Sequence, residues 1–360
     1  MANETNRIQA AMKLTRSSRA GGLMVTDPFN LRWLSGFTGG EGVALLTGRR
    51  RLLLVDSRYT TQAADEALGF EVVKFMRRAE EVAQVAGKLK LKVLAFEAEG
   101  MTHRRFLEIQ KAMGAIKLVP LPAELKQPRA VKDAGEVRLI ARAAKIARDA
   151  LRECLPLLQP GLREREFAAE LERAMRRAGS GPAPFETIVA SGPRGALPHG
   201  AAAERKMKKG DLVTVDFGAI FGGYQSDQTV TVALGRPKPE LKKIYGVVRE
   251  AQRRAIKLIR PGAVCRDVDR AARDYIQEQG YGEYFGHGLG HGVGLETHEE
   301  PAFNFRSETV LRPGMVVTVE PGIYLPTVGG VRIEDMALVT AGGCRLLTAS
   351  SGPLREMVVK

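Results

Sequence analysis

Histidine, cysteine and tryptophan are scarce in this chain of 360 residues, which holds five, three and one of them. Cys154, Cys265 and Cys344 stand far apart and form no CxxC pair. That spacing excludes a disulfide-stapled scaffold and a cysteine-built zinc site, and it suits buried thiols in a reducing compartment. No apolar run approaches the roughly 20 residues needed to cross a bilayer, and Met1 to Leu14 lacks the apolar stretch of a secretory signal. A soluble, cytoplasmic protein is expected. The length allows two domains or one large one, with ample chain to bury a core.

Acidic residues are outnumbered, 41 against 55 Lys plus Arg, for a net charge of +14. Such an excess raises nucleic acid, a membrane surface or an anionic substrate as partners. It is spread through the chain, however: residues 1–130 hold 21 basic and 13 acidic side chains, and residues 131–360 hold 34 and 28. The runs Arg49-Arg50-Arg51 and Lys88 to Lys92 are short and lack interleaved aromatics. A solvated basic surface is expected, with no nucleic acid and no membrane as partner.

From Gly21 to Val119, six short apolar runs read as strands: 22–26, 42–46, 51–56, 70–75, 92–96 and 116–120. Ser57 to Leu68 and Thr102 to Met113 read as helices, the former with Asp56-Ser57 at its cap. This alternation predicts a small α/β domain over 1–122. Prolines at 120, 122 and 128 mark 123–131 as a linker, and 132–360 is the second domain.

The second domain contains an internal repeat. A shift of 101 sets Ala150 on Ala251, Leu157 on Leu258, Pro160-Gly161 on Pro261-Gly262 and Gly179 on Gly280, so a pattern of helix, Pro-Gly turn and helix occurs twice. A shift of 104 then sets the nine residues Gly210 to Gly218 on Gly314 to Gly322, with Asp216 on Glu320. Two halves related by a pseudo-two-fold axis, with a site between them, are expected.

Four carboxylates end or flank the repeated strands. A hairpin folded about Phe221-Gly222 sets Asp216 opposite Asp227, and one centred at 327 sets Glu320 opposite Glu334. Unpaired charges at the ends of apolar strands cost several kcal/mol in desolvation, so a cation between them is the economical explanation. Beside them lie the glycine-spaced His287, His291 and His298, and His199 in a second glycine-bearing loop. Glycines at 286, 288, 290, 292 and 294 exclude a stable helix and let main chain approach closely. An oxygen-rich set with one imidazole suits Mn²⁺ and also accommodates Co²⁺, Fe²⁺ or Zn²⁺. Four carboxylates balance two divalent ions, and a hydroxide bridging those ions is a competent nucleophile. Thr229, two residues after Asp227, is a candidate for supporting the site.

The ordered set Asp216, Asp227, GHGLGHGVGLETHEEP from Gly286, VEPGIY from Val319 and RIED from Arg332 resembles the pita-bread-fold dinuclear metallopeptidases, in their aminopeptidase P and prolidase branch. Asp27 to Gly39 and Leu53 to Tyr59 resemble the creatinase-type N-terminal domain of that branch. The resemblance implies an α+β chain with a duplicated pita-bread catalytic domain behind a smaller α/β domain. By it, Asp216, Asp227, His291, Glu320 and Glu334 are the metal ligands, with Asp227 and Glu334 bridging. His298 would contact the substrate amide, His199 and His287 would be outer active-site histidines, and Arg332 a basic residue beside the metals. Val230 departs from the arginine frequent at that position, so no contact by such an arginine is expected. The implied activity is hydrolysis of the Xaa-Pro bond at a peptide N-terminus or in a dipeptide, and the implied assembly is a homodimer. Alternatives are an exopeptidase of the methionine aminopeptidase type, a metal-independent creatinase-like hydrolase, and a non-catalytic binding module. The N-terminal domain argues against the first, and the complete set of ligand positions against the other two.

Overall fold

The structure, a computed structural model, describes residues 2–122, 124–348 and 358–359. It divides into two compact units, Met1–Arg129 and Ala130–Lys360.

In the first unit the order is α1 (Ala2–Ser17), β1 (Gly22–Val25), α2 (Pro28–Ser35), β2 (Val43–Thr47), β3 (Arg51–Val55), α3 (Thr60–Glu66), β4 (Glu71–Lys74), α4 (Arg78–Lys88), β5 (Val93–Phe96), α5 (His103–Met113), β6 (Lys117–Pro120) and α6 (Lys126–Arg129). The strands form one mixed sheet in the order β4-β3-β2-β1-β5-β6. All six arise where the apolar runs predict them. Central β1, β2 and β3 are almost continuously apolar because both faces are covered. Pro120 ends edge strand β6, where a missing N–H costs no ladder bond. Trp33 is buried, with Arg7 Nη1 donating to its carbonyl at 3.0 Å.

Two local expectations are corrected. Helix α3 begins at Thr60 rather than after Asp56-Ser57, because the Asp56 carboxylate is taken up by Arg58 and the cap residue is Tyr59, without a side-chain bond. The proline-bearing stretch Pro120–Arg129 holds one helical turn, α6, where no helix is predicted.

The second unit runs α7 (Ala134–Cys154), α8 (Glu164–Arg177), β7 (Ile188–Ser191), β8 (Leu212–Phe217), β9 (Ile220–Phe221), β10 (Tyr224–Gln225), β11 (Gln228–Leu234), α9 (Pro239–Leu258) and α10 (Cys265–Glu278). It continues with β12 (Gly290–Gly292), β13 (Glu299–Phe303), β14 (Val316–Val319), β15 (Gly322–Leu325), β16 (Gly329–Arg332), β17 (Asp335–Thr340), β18 (Gly343–Leu346) and β19 (Val358–Val359). The duplication is visible element by element. Helix pair α7/α8 corresponds to α9/α10, and the interrupted hairpin β8-β9/β10-β11 corresponds to β14-β15/β16-β17. Glycines matched by the repeat share the left-handed conformation: Gly161 and Gly262 have φ of 98° and 87°, Gly179 and Gly280 95° and 84°, Gly210 and Gly314 both 91°. Side chains with a Cβ are strained there, which explains why these glycines mark the repeat in the sequence.

Period-two alternation decides what faces the site. Val213, Val215, Phe217, Val230 and Val232 pack into the apolar core under α7 and α8. Val317, Val319, Val331, Ile333 and Ala337 do the same under α9 and α10. The intervening Thr214, Asp216, Thr229 and Thr231 of one half, and Thr318, Glu320, Arg332 and Glu334 of the other, therefore project from the opposite faces.

The β8/β11 register differs from the sequence expectation by two residues. Asp216 pairs with Thr229 rather than with Asp227. The turn is formed by Gly222-Gly223, both at positive φ (57° and 83°), closed by the pair Phe221 and Tyr224. Two such residues make the tight hairpin turn, whereas a turn at Phe221-Gly222 would put an aromatic residue at positive φ. A slip of two leaves every side chain on the same face, so the carboxylates still converge. In the other half the register centred at 327 is found, with Gly322 opposite Arg332 and Val319 opposite Asp335.

Candidate metal centre and active site

The nine side chains that the resemblance places at the site line one cavity of about 400 Å³ in the second unit. Three of its carboxylates sit where the ladders break: Asp227 between β10 and β11, Glu320 between β14 and β15, Glu334 between β16 and β17. Asp216 is the penultimate residue of β8. The glycine-rich run threads between these strands at close range. A Cβ on Gly290 would overlap the Thr318 carbonyl, and one on Gly292 the Glu300 carbonyl.

Ligand atoms of Asp227, His291 and Glu334 all lie within 4.8 Å of one another. His291 Nδ1 faces the Gly292 carbonyl at 3.1 Å and must donate to it, because a carbonyl only accepts. Nε2 of the ring then faces two further acceptors, Glu320 Oε1 at 3.2 Å and Asp227 Oδ2 at 3.7 Å. Something positive has to sit among these three atoms. A proton satisfies them: burial alone lowers His291, but the Glu320 hydrogen bond and the Glu320 and Asp227 charges outweigh it and push the ring up to about 9. Glu320, which burial would raise, is held down at about 2 by the same partner. A divalent cation satisfies the same atoms with more charge.

The other carboxylates lead to the same conclusion. Burial first, then the charges of neighbouring acids, drives Asp227 and Glu334 well above the ordinary carboxylate range. Asp216 is raised by burial, against the pull of Arg332, whose Nη2 donates to Asp216 Oδ2 at 2.6 Å. Its other oxygen, Oδ1, is buried with no hydrogen-bond partner among the described residues. A buried orphan acceptor, a ring nitrogen aimed at acceptors and a cluster of mutually repelling acids together fit divalent cations.

Around this set the two halves are laced together. Thr229 Oγ1 donates to Glu334 Oε2 at 2.8 Å, and Thr231 Oγ1 donates to the Arg332 carbonyl at 2.8 Å. Arg332 also donates to the Pro198 carbonyl at 2.9 Å, which anchors the loop bearing His199. Its Nη1 reaches Tyr324 Oη at 3.1 Å, and Tyr324 Oη lies 2.9 Å from His287 Nε2. His287 Nδ1 donates to the Gly288 carbonyl, so Nε2 accepts from the tyrosine hydroxyl. Burial lowers both His287 and His298. His298 stands at the exposed side, its ring centroid 4.3 Å from that of His291.

Tyr324 has no assigned role in the sequence reading. Its signal was present: residues 320, 322 and 324 share one face of an extended strand, and Tyr324 is the one polar side chain in GIYL. His103, the fifth histidine, is the exposed first residue of α5, in the other unit.

Residues 138–341 match metallopeptidase family M24, and residues 7–131 match the creatinase/prolidase N-terminal domain. The chain belongs to metallopeptidase family M24. It is 37% identical to the Xaa-Pro dipeptidase of Pyrococcus furiosus over 97% of this chain and 99% of that protein. The Xaa-Pro dipeptidase from Bacillus anthracis has the same fold, with a TM-score of 0.96 and 41% identity over 99% of this chain and 100% of that one. The X-Pro aminopeptidase from Thermotoga maritima follows with a TM-score of 0.89 and 39% identity over 98% and 99%. This M24 chain therefore joins a creatinase-type N-terminal domain to a metallopeptidase domain.

Proposed function

We propose that the chain is a dinuclear metallo-exopeptidase that hydrolyses the bond between an N-terminal residue and a following proline, in peptides or in Xaa-Pro dipeptides. The observation that carries this reading is the convergence of Asp216, Asp227, His291, Glu320 and Glu334 on one buried pocket, with the Asp216 Oδ1 and His291 Nε2 atoms in want of a cation. Those five residues would hold two divalent ions, Mn²⁺ first and Co²⁺, Zn²⁺ or Fe²⁺ as substitutes. Such ions supply Lewis acidity toward the scissile carbonyl and activation of water.

The remaining residues bind and orient. Phe185, Ile188, Pro198 and Ala201 form an apolar wall against which a pyrrolidine ring can pack. His298, neutral and at the mouth, donates a hydrogen bond to the substrate amide oxygen as charge develops on it. His199 and His287 contact the peptide from the outer side. Arg332 and Tyr324 fix His287 and Asp216 through the hydrogen bonds described above. A carboxylate of the cluster takes a proton from the attacking water and passes it to the departing proline nitrogen. We further propose that residues 123–131 link the domains, that the protein is cytoplasmic, and that it is a homodimer.

The test is hydrolysis of an Xaa-Pro dipeptide, an Xaa-Pro-Yaa tripeptide and matched Xaa-Ala peptides by the Mn²⁺-loaded protein. Release of the first residue from proline-containing substrates alone supports the reading. Equal or faster cleavage of the Xaa-Ala series contradicts it.

A further inference from the structure

Three pocket histidines, His199, His287 and His298, sit on glycine-bearing loops that have little intrinsic reason to hold one shape. Each loop is gripped by a buried carboxylate that does not itself line the cavity. Glu164, the first residue of α8 and fully buried, accepts from Ser191 N at 2.8 Å and Ser191 Oγ at 2.6 Å with one oxygen. Its other oxygen accepts from Arg194 Nε at 2.9 Å and Ala203 N at 3.1 Å, so it brackets the segment containing His199. Asp269 of α10, also fully buried, accepts from Leu289 N at 3.0 Å and pairs with Arg273 Nε at 2.8 Å. Arg273 in turn donates to the carbonyls of Phe285 at 3.1 Å and His287 at 2.7 Å. Glu299 accepts from Leu295 N at 3.0 Å and Glu296 N at 3.2 Å, and pairs with buried Lys132 at 2.9 Å, closing the turn that presents His298.

The device is the same each time: one carboxylate, one cation of its own and at least one main-chain N–H group of one histidine loop. In the duplicated halves it also occupies related places. The 101-residue shift sets Glu164 on Cys265, one helical turn before Asp269, so both acids project from the same face of the second helix in their half. Buried ion pairs contribute little net stability compared with apolar side chains of similar size, so their value lies in the geometry they impose.

We infer that Glu164, Asp269 and Glu299 are positioning residues, each fixing the main chain of one loop and thereby the place at which His199, His287 or His298 meets the peptide. This rests on the proposed peptidase reading, in which those histidines contact substrate. The prediction is a pattern of coupling. In the full-length Mn²⁺-loaded enzyme, Glu164→Gln lowers kcat on an Xaa-Pro peptide by about 10-fold or more, since small displacements of a contacting group are costly. In the His199→Ala background the same change costs less than about 2-fold, because the group it positions is gone. Asp269→Asn behaves likewise with His287→Ala, whereas the crossed pairs, Glu164→Gln with His287→Ala and Asp269→Asn with His199→Ala, multiply.

Melting temperature and bound metal are measured on every variant. Equal losses with and without the matching histidine, or losses that follow metal content, would overturn the inference while leaving the peptidase reading intact. No effect of His199→Ala and His287→Ala on kcat would overturn the inference together with the histidine roles it rests on. Should a Gln or Asn variant fail to fold, Ser191→Ala and Arg273→Lys weaken the same grips without stripping a buried charge, and the same coupling pattern is expected with smaller losses.

Discussion

Thr229 donates its hydroxyl to Glu334 Oε2 at 2.8 Å, and Glu334 N donates back to the Thr229 carbonyl at 3.0 Å, so a residue of one half holds both ends of a carboxylate-bearing residue in the other. The two bonds cross between the halves of the duplication. They fix the Glu334 side chain in the orientation from which it faces Asp227 and His291.

Thr229→Val keeps the shape of the side chain and removes the hydroxyl. The expected result is a fall in Mn²⁺ affinity of about 10- to 100-fold, the usual cost of losing a partner that orients a ligand. Calorimetric titration of the metal-depleted variant measures it. An unchanged affinity would mean that the hydroxyl plays no part in holding Glu334.

His298→Ala should lower kcat by about 100-fold or more, in the range expected for a group acting on the reacting amide. Bound metal should stay at the wild-type level, because His298 is not one of the five residues proposed to hold the ions. Loss of metal from this variant, read by elemental analysis, would mean that the roles assigned to His291 and His298 are exchanged.

In the N-terminal unit, Glu97 is buried and accepts from Thr26 N at 2.8 Å, Asp27 N at 3.2 Å and Asn30 Nδ2 at 2.5 Å. Burial pushes its pKa up to about 7 despite these donors. A carboxyl raised in the folded state keeps its proton over a range in which the unfolded chain, near 4.5, has released it. Its stabilising contribution is therefore complete below about pH 4.5 and is lost as pH rises to about 7, to a total of roughly 3 kcal/mol. The melting temperature of the wild type should fall between pH 5 and pH 8 more than that of Glu97→Gln. Parallel profiles for the two proteins would contradict this.

Much of this arrangement is legible in the sequence, and the exceptions have physical causes. The six strands of the first unit announce themselves because buried strands are continuous apolar runs. Helices α1, α2 and α4 do not: α1 is mostly polar, α2 is only eight residues long and depends on its Asp27 cap and Pro28, and α4 buries just Val82, Val85 and Ala86. The carboxylates and histidines stand out because acids at the ends of apolar strands, and histidines among glycines, are expensive unless they serve something. Pairing Asp216 with Asp227 misses by two residues because the turn chemistry of Gly222-Gly223 outweighs the symmetry of the acids. Tyr324 escapes notice because a tyrosine in an apolar strand reads as core until Arg332 and His287 are seen to meet its hydroxyl.

In the proposed reaction the Asp216, Asp227, His291, Glu320 and Glu334 cluster holds the divalent ions on which peptide hydrolysis depends. Wild type and Asp227→Asn, each depleted with a chelator and reloaded with Mn²⁺, are compared for bound metal per chain by elemental analysis and for cleavage of an Xaa-Pro-Yaa peptide. Two ions per wild-type chain are expected, with activity lost on depletion and restored on reloading, and in Asp227→Asn the loss of at least one ion with no activity. Full hydrolysis by the depleted wild type, or by Asp227→Asn, would contradict that role of the cluster.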